Sequence, residues 1–303
     1  MHTEVSLSPQ STHLAGNFFG HFSPASPRVP GVVAQVSYLS SETVRPYTFM
    51  YRPPDGIAWD NCKYQVVPVR IADARAMALP PSIDVEGFEL WDAPTSVTDF
   101  SDEDAIQRRY YPEAVELAKQ VTGADHVVIF DHAIRRREAG RPALTFGRNG
   151  SHGALGAVGR VHVDYSETSG QRRLEVIDAD SATTRHPRRF AIVNIWRSIG
   201  GKVVDTPLAL CDGRSVAAQD LVTAELWYPS RKGELSLVHE SPRHRWVYFS
   251  QMDNREALIF KQYDSQVNSV ARFIPHSAFD LPDIPSDALL RESIEVRCLV
   301  IYH

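Results

Sequence analysis

The chain has 303 residues, of which 43% are hydrophobic and 23% are charged, with a formal net charge of −5 at pH 7. This length and apolar content suffice for a large core. The charges are mixed in sign and form no basic stripe, which argues against nucleic acid as a partner. No run of about 18 apolar residues is present, so we also expect no membrane span.

The cysteines and the start of the chain point to a reducing compartment. Cys62, Cys211 and Cys298 are odd in number and lack C-x-x-C spacing, which disfavours both a disulfide framework and a zinc-thiolate site. The first residues, MHTEVSLSPQST, lack the basic and apolar regions of a secretory signal. We therefore expect a cytoplasmic protein; its oligomeric state is left open.

A helical region is predicted between residues 101 and 139. Ser101 can cap a start rich in acidic residues, which suit the positive end of a helix dipole. The segment PEAVELAKQV opens with Pro112, a good first-turn residue, and shows apolar residues at helical spacing until Gly123. Residues 126–136, HVVIFDHAIRR, follow as a predicted buried strand.

Strands dominate the predicted structure from residue 160 onward. Nine short β segments bounded by turn residues lie between residues 160 and 302, with no helical pattern between them. This arrangement indicates an antiparallel sandwich or barrel. We expect a mainly β fold with flanking helices and a double-stranded β-helix core, of jelly-roll or cupin type, at about 125–303. Residues 1–303 are expected to form one domain, whose N-terminal half adds strands and a buttressing helix.

The segment GRVHVDYSE, residues 159–167, contains a possible metal-binding pair. His162 and Asp164 share one side of a predicted strand, because alternate residues of a strand point the same way. Two imidazoles and a carboxylate form the ligand set of non-haem iron oxygenases, so a second histidine must come from elsewhere. His276, at the end of an apolar strand, is the best placed; the later alternatives lie in loops, turns or at the terminus (His186, His239, His244 and His303).

The last predicted strand, RESIEVRCLVIY, carries polar groups on one face. Alternation places Arg291, Ser293, Glu295 and Arg297 together. Two arginines are costly to bury for stability alone. A guanidinium with a hydroxyl two residues on suits the carboxylate of a dicarboxylate such as 2-oxoglutarate. Arg291 is the preferred partner, and Arg297 is the alternative.

These residues and four longer segments resemble a known group of enzymes. The order His-x-Asp, a long β-rich interval, a second His and then Arg-x-Ser is similar to that of the Fe(II)/2-oxoglutarate-dependent oxygenases. The segments NIWRSIGGKVVDTPLALCD, ALIFKQYDS, PHSAFDLP and RESIEVRCLVIY resemble the family of cephamycin methoxylation proteins, gibberellin desaturase-like enzymes and aziridine-forming enzymes. The similarity covers roughly residues 30–303. Ser198 and Leu281 depart from the family pattern, which expects Pro and Asp there.

The resemblance implies a role for each residue. His162, Asp164 and His276 would hold Fe(II), 2-oxoglutarate would chelate the iron while Arg291 and Ser293 bind its far carboxylate, and O2 would take the remaining position. The expected reaction is C–H activation, by hydroxylation, desaturation or ring closure, on a small molecule of specialised metabolism. An amino acid or a carboxylated metabolite is the expected substrate class.

Three further side chains are expected near the substrate. Arg197 could contact an anionic group, and Lys261 with Tyr263 could reach the substrate or co-substrate. The glycines of GRNGSHGALGAVG, residues 147–159, precede a strand and not a helix, which disfavours a phosphate loop. We expect a mobile loop that could cover the site.

Two other functions remain open from the sequence. The same ligand set on a cupin-like core could hold zinc or manganese for a non-redox reaction, although such an enzyme needs no arginine clamp for a dicarboxylate. An accessory subunit of a tailoring methyltransferase is the other alternative. No Gly-rich strand-to-helix turn for S-adenosylmethionine is visible, so methyl transfer by this chain itself is not expected.

Overall fold

The structure is a computed structural model. It describes residues 29–144, 155–180, 187–268 and 270–303. Strands account for most of the regular structure, which confirms the predicted mainly β class. No helix within these ranges is both long and apolar enough to cross a bilayer. Residues 147–154 of the Gly-rich segment, where we predicted a covering loop, lie outside the described residues.

The larger of two sheets has nine strands and holds the predicted histidines. Its central strands are short, and three of its members come from the first 75 residues of the chain. In spatial order the strands are β1 (Gly31–Leu39), β3 (Tyr64–Asp73), β12 (Trp246–Tyr248), β9 (Leu208–Cys211), β14 (His276–Ala278), β7 (His162–Val163), β11 (Lys232–Val238), β10 (Leu221–Trp227) and β2 (Tyr47–Phe49).

The smaller sheet has six strands and contains the last strand of the chain. All its pairings are antiparallel except that between β5 and β6. In spatial order the strands are β4 (Phe88–Asp92), β13 (Glu256–Asp264), β8 (Arg189–Ser198), β15 (Glu292–Tyr302), β5 (His126–Arg136) and β6 (Leu155–Gly156). Strand β5 was predicted to be buried, but most of its residues are only half-buried, because its outer neighbour β6 has just two residues.

The two sheets pack face to face around a shared apolar core. Trp196 and Phe260 of the smaller sheet belong to the same buried cluster as Leu210 and Val247 of the larger sheet. The inner face of β13 therefore carries its even-numbered residues, and the odd-numbered Ile259 packs on the outer side. This parity decides which polar side chains of the smaller sheet can reach the space between the sheets.

A helix covers the outer face of the smaller sheet. It comprises α1 (Glu103–Ala105), a π-helical turn (Ile106–Tyr110) and α2 (Tyr111–Thr122), and ends at Gly123 in the left-handed region with φ of 67°. Its N-cap is Asp102, whose side chain accepts a hydrogen bond from the Ala105 amide, so the prediction of Ser101 was wrong by one residue. Pro112 lies in the first turn of α2, as predicted, and closely follows the π turn. Because proline has no N–H for an α-helical bond, the preceding π turn is a physical accommodation of it.

A second helix, α3 (Glu167–Asp180), contradicts the expectation that no helix follows residue 160. It was missed because its surface is largely polar, so helical periodicity is weak, and Gly170 disfavours a helix. The glycine has a packing role: a Cβ there would lie 2.4 Å from the ring of Tyr263. The helix thus rests directly on β13 beside the predicted metal site.

Candidate metal centre and adjoining cavities

The structure brings the three predicted metal ligands together. His162 on β7 and His276 on β14 are direct cross-strand partners, and their ring centroids lie 4.2 Å apart. Asp164 directly follows β7, with its Oδ1 3.5 Å from the Nε2 of His162. One ligand atom from each of the three residues lies within 4.8 Å of the others. The three donors are therefore close enough for one ion to be bound by all of them after a small movement of the side chains.

Backbone carbonyls orient both imidazoles. The Nδ1 of His162 lies 2.8 Å from the carbonyl of Arg160, and that of His276 lies 3.2 Å from the carbonyl of Ile274. A carbonyl can only accept, so each ring carries its proton on Nδ1 and presents the Nε2 lone pair to the cluster. Burial, together with the neighbouring His162, lowers the pKa of His276 to about 3. His276 is therefore neutral at neutral pH, as a metal ligand must be.

Two neighbouring side chains orient the carboxylate of Asp164, and a third holds its backbone. Its Oδ2 accepts hydrogen bonds from Asn194 Nδ2 at 2.8 Å and Arg297 Nε at 3.2 Å, and its backbone N–H donates to Gln262 Oε1 at 2.7 Å. Burial alone would raise the pKa of Asp164, but the charge of Arg297 and the nearby imidazoles hold it well below its ordinary value. The other oxygen, Oδ1, is left facing the histidines as an ionised donor.

Arg297 contacts the Asp164 carboxylate directly. Besides Asp164, its guanidinium binds Asp131 at 2.7 Å and Glu295 at 2.9 Å. Burial acts against the charged form, yet the three carboxylates raise the pKa of Arg297 well above its ordinary value. Three carboxylates of the chain thus already neutralise the charge of Arg297. The structure therefore shows Arg297 supporting Asp164, and its contact with 2-oxoglutarate stays a prediction.

Arg291 lies in a different environment. It lines a narrow cavity, together with Trp196 and the two metal-site histidines, and its guanidinium lies 5.6 Å above the Trp196 ring. One terminal nitrogen donates to the carbonyl of Thr206 at 3.0 Å. The Nε of Arg291 and the hydroxyl of Ser293 are buried without a hydrogen-bond partner among the described residues. Buried polar groups are rarely left unpaired, so this pair fits an absent anionic ligand.

The three predicted substrate contacts all lie elsewhere. Arg197 points to the outer face, where it donates to the carbonyls of Ala93 at 2.5 Å and Asn254 at 2.7 Å. Arg197 was assigned to the site although its parity on β8 opposes that of Trp196, and no bulge reverses it. Its guanidinium ties the helix and a loop to the sheet, so the predicted anion contact is wrong.

Lys261 was assigned with the wrong parity, whereas a β-bulge returns Tyr263 to the inner face, where it packs against α3 and not at the metal ligands. The ammonium of Lys261 pairs with Asp84 at 2.7 Å and Asp264 at 2.9 Å, away from the metal ligands. The Tyr263 hydroxyl accepts from Gln171 and donates to Glu167, both on α3. The pairing of β13 with β8 shifts between Lys261 and Tyr263, which separates these two side chains from regular alternation. Neither reaches the metal site.

Two residues at the site were missed in the sequence. Gln262 accepts from the Asp164 amide, and its Nε2 lies 3.5 Å from His276 Nδ1. Asn194 holds Asp164 directly. Both could have been found from parity alone, since Asn194 shares a face with Trp196 and Gln262 shares one with Phe260.

A second cavity, called here the large cavity, opens beside the metal ligands and has a volume of about 720 Å³. His162 and Asp164 lie on its floor, and its walls come from β5, α3 and the β10–β11 hairpin. It meets the narrow cavity at His162 and Arg135. A ligand in the large cavity would thus lie next to the metal donors, while Arg291 remains at the far end of the narrow cavity.

Comparisons with known proteins agree with this geometry. The family model described as an oxidoreductase/YMDC permease-like domain matches residues 36–301. The hydroxylase/desaturase CTB9 of Cercospora beticola is 34% identical over 285 residues, which cover 84% of this chain and 86% of that protein. The Fe(II)/2-oxoglutarate-dependent dioxygenase nvfI of Aspergillus novofumigatus is 31% identical over 257 residues, covering 82% and 88%.

A solved structure extends the similarity to the fold. The iron and alpha-ketoglutarate-dependent endoperoxidase NvfI superposes with a TM-score of 0.78 at 28% identity, covering 90% of this chain and 98% of that one. The predicted jelly-roll core is thereby confirmed.

Proposed function

Since the chain belongs to the Fe(II)/2-oxoglutarate-dependent oxygenases, within the oxidoreductase family whose model it matches, we propose specific roles for its site residues. His162, Asp164 and His276 hold the ferrous ion, and Arg291 with Ser293 binds the distal carboxylate of 2-oxoglutarate. The observation that carries this assignment is the meeting of three metal donors with a buried, incompletely paired arginine at one end of the same cavity system.

The chemistry of the bound groups defines what the protein must provide. Fe(II) with 2-oxoglutarate and O2 supplies the oxidising power to remove hydrogen from an unactivated C–H bond. The chain's own residues hold these groups and orient the side chains that bind them. Arg297 and Asn194 engage one oxygen of Asp164 so that the other faces the ion, and backbone carbonyls keep the two imidazoles aligned. Hydroxylation, desaturation and ring closure all begin at this step, and the position of the substrate decides among them.

The non-redox alternative makes a different demand on the narrow cavity. A zinc or manganese hydrolase on the same core could use the histidines and Asp164, but it has no use for an unpaired arginine beside them. An accessory subunit would need neither feature. The burial of Arg291 near the metal donors therefore favours the oxygenase.

The compartment is part of the proposal. We place the enzyme in the cytoplasm because all three cysteines are free thiols, two of them buried, which suits a reducing environment. Its substrate is a small molecule of specialised metabolism, in keeping with relatives named as hydroxylase/desaturase and dioxygenase.

Anaerobic reconstitution tests the proposed site. Fe(II) and 2-oxoglutarate added to the full chain should give a weak visible charge-transfer band, and iron should be retained at one ion per chain. His276→Ala should lose iron retention and band together. His239→Ala is the matched control, since His239 also has its Nδ1 near a carbonyl, that of Leu39, but lies outside the cluster. Full iron loading without a band in the parent protein would contradict the oxygenase assignment.

A further inference from the structure

The large cavity has an apolar wall that reaches the protein surface. Met50, Leu155 and Val176 line it and remain 37%, 38% and 52% exposed, respectively. Leu226 and Leu235 of the β10–β11 hairpin extend the same wall inward. Exposed apolar side chains that gather at the mouth of a cavity indicate a ligand that covers them. A cavity of about 720 Å³ is of the size that takes drug-like molecules and is far larger than an amino acid requires.

The rim of the large cavity carries positive charge without matching carboxylates. Arg172 and Arg173 project from α3, and Arg231 lies across from them on the β10–β11 hairpin. None of the three has an ion-pair partner among the described residues. Their neighbour Lys232, by contrast, is paired with Glu225 at 2.9 Å.

The acidic residues of the cavity do not cancel this charge. Asp131 is bound by Arg297, and Asp164 belongs to the metal cluster. Glu234 accepts a hydrogen bond from the Ser166 hydroxyl at 2.6 Å and is the one further carboxylate on the lining. Three unpaired arginines thus face a single unpaired glutamate, which leaves the rim net positive.

Arg173 is held in place by its surroundings. Its guanidinium lies 4.5 Å from the centre of the Phe130 ring and is a neighbour of Tyr165, which also lines the cavity. A guanidinium stacked on an aromatic face loses little further freedom when it binds an anion. Arg172 is exposed and Arg173 is half-buried, so Arg173 is the stronger site for binding an anion.

We propose that the substrate is a bulky, mainly apolar carboxylic acid whose carboxylate binds Arg173, with Arg172 and Arg231 as outer cations. Its apolar body lies along Met50 and Leu235, which brings carbon atoms of that body over Asp164 and His162. This proposal rests on the proposed function, because it names the substrate of the same metal site. It also assigns the carboxylate to a set of cations different from Arg291, so acid substrate and 2-oxoglutarate can be bound together.

A pair of fluorescent probes separates the charge from the apolar body. The probes are 4-(1-pyrenyl)butyrate and its neutral counterpart 1-pyrenebutanol, titrated into the full chain with Fe(II) and saturating 2-oxoglutarate under anaerobic conditions. The acid should bind about tenfold more tightly than the alcohol, and the preference should fall as salt rises. Arg173→Gln should abolish the preference, Arg172→Gln should reduce it about threefold, and Arg173→Lys should retain part of it. Arg255→Gln, an exposed arginine outside the cavity, is the matched control.

The outcomes distinguish this inference from the oxygenase assignment. Equal binding of acid and alcohol, or an acid preference that survives Arg173→Gln, would overturn the inference while leaving the iron chelate intact. Loss of both probes by equal factors in Arg173→Gln would show that the arginine shapes the cavity and does not bind the acid. Binding of the acid only when 2-oxoglutarate is left out would place the acid at Arg291 and also overturn the proposal. Because the probes bind without turnover, their preference can be measured even if the iron chelate fails to form.

Discussion

The inner face of the last strand presents an arginine at each end of the site, and the two arginines are paired in opposite ways. Arg291, directly before β15, has one carbonyl partner, and its Nε is without a partner among the described residues. Arg297, six residues later, binds three carboxylates. The first arginine is open to an anion from outside the chain. The second is already neutralised and holds the metal-binding carboxylate in place.

The pairing also changes what each charge costs the folded protein. Burial and the nearby Arg135 lower the pKa of Arg291 to about 10, so folding disfavours its charge at neutral pH. The carboxylates around Arg297 have the opposite effect and raise its pKa. Since a lowered pKa in a cation means a less favourable charged state, a bound dicarboxylate would relieve Arg291. In the proposed assignment, Arg291 is therefore the ligand-binding arginine and Arg297 is the support of Asp164.

The largest expected difference between variants of the two arginines is in their free energy of unfolding. Arg297→Met should lower the free energy of unfolding of the metal-free protein by about 3–5 kcal/mol, because Asp164 and Glu295 would be left buried without their cation. Urea denaturation measures this. Arg291→Met is the matched control and should change stability by no more than about 1 kcal/mol, since it removes one hydrogen bond and an unfavourable charge. Equal losses in the two variants would show that pairing does not separate the two arginines.

The sequence was sufficient for the fold class and for the meeting of His162, Asp164 and His276 in one cluster. Alternation brings His162 and Asp164 to one side, and the apolar strands predict a jelly roll into which His276 fits. Helix α3 was not predictable, because its fourteen residues are mostly polar and its one tight contact, Gly170 against Tyr263, depends on a residue far along the chain. That helix supplies two arginines of the large cavity, Arg172 and Arg173, so its omission directed the search for substrate contacts to other cations.

The next expected difference between the Arg291 and Arg297 variants is in their affinity for 2-oxoglutarate. Arg291→Met should weaken 2-oxoglutarate binding by about 2–5 kcal/mol, roughly 30-fold or more, because a buried charge-assisted contact is lost. Titration of the anaerobic charge-transfer band measures this, and iron retention should not change. In Arg297→Met, by contrast, the loss of iron retention should be the larger effect. If Arg297→Met weakened 2-oxoglutarate binding and left iron retention unaffected, the roles assigned to the two arginines would have to be exchanged.

Pairing is the part of the site that sequence alternation could not reveal. Arg291 and Arg297 share a face, and what separates them is the position of Asp131 on the neighbouring strand β5 and of Asp164 on the opposite sheet. Lys261 shows the same limit, since its partner Asp84 lies in a loop 177 residues earlier. A residue's face follows from local periodicity, whereas its ion partners depend on how distant segments meet.

The smallest expected effect tests whether Arg297 by itself, without Asn194, can orient the carboxylate of Asp164. Asn194→Ala removes one of the two hydrogen bonds to Oδ2 and should weaken Fe(II) binding about tenfold, with the other bond still orienting the carboxylate. Competition with a metal chelator measures the affinity, and Asn254→Ala, on a turn outside the metal cluster, is the control. Unchanged iron binding in Asn194→Ala would mean that Arg297 suffices to orient Asp164. The contrast between the two arginines would then be sharper, because the paired one would bear the whole alignment of the carboxylate ligand.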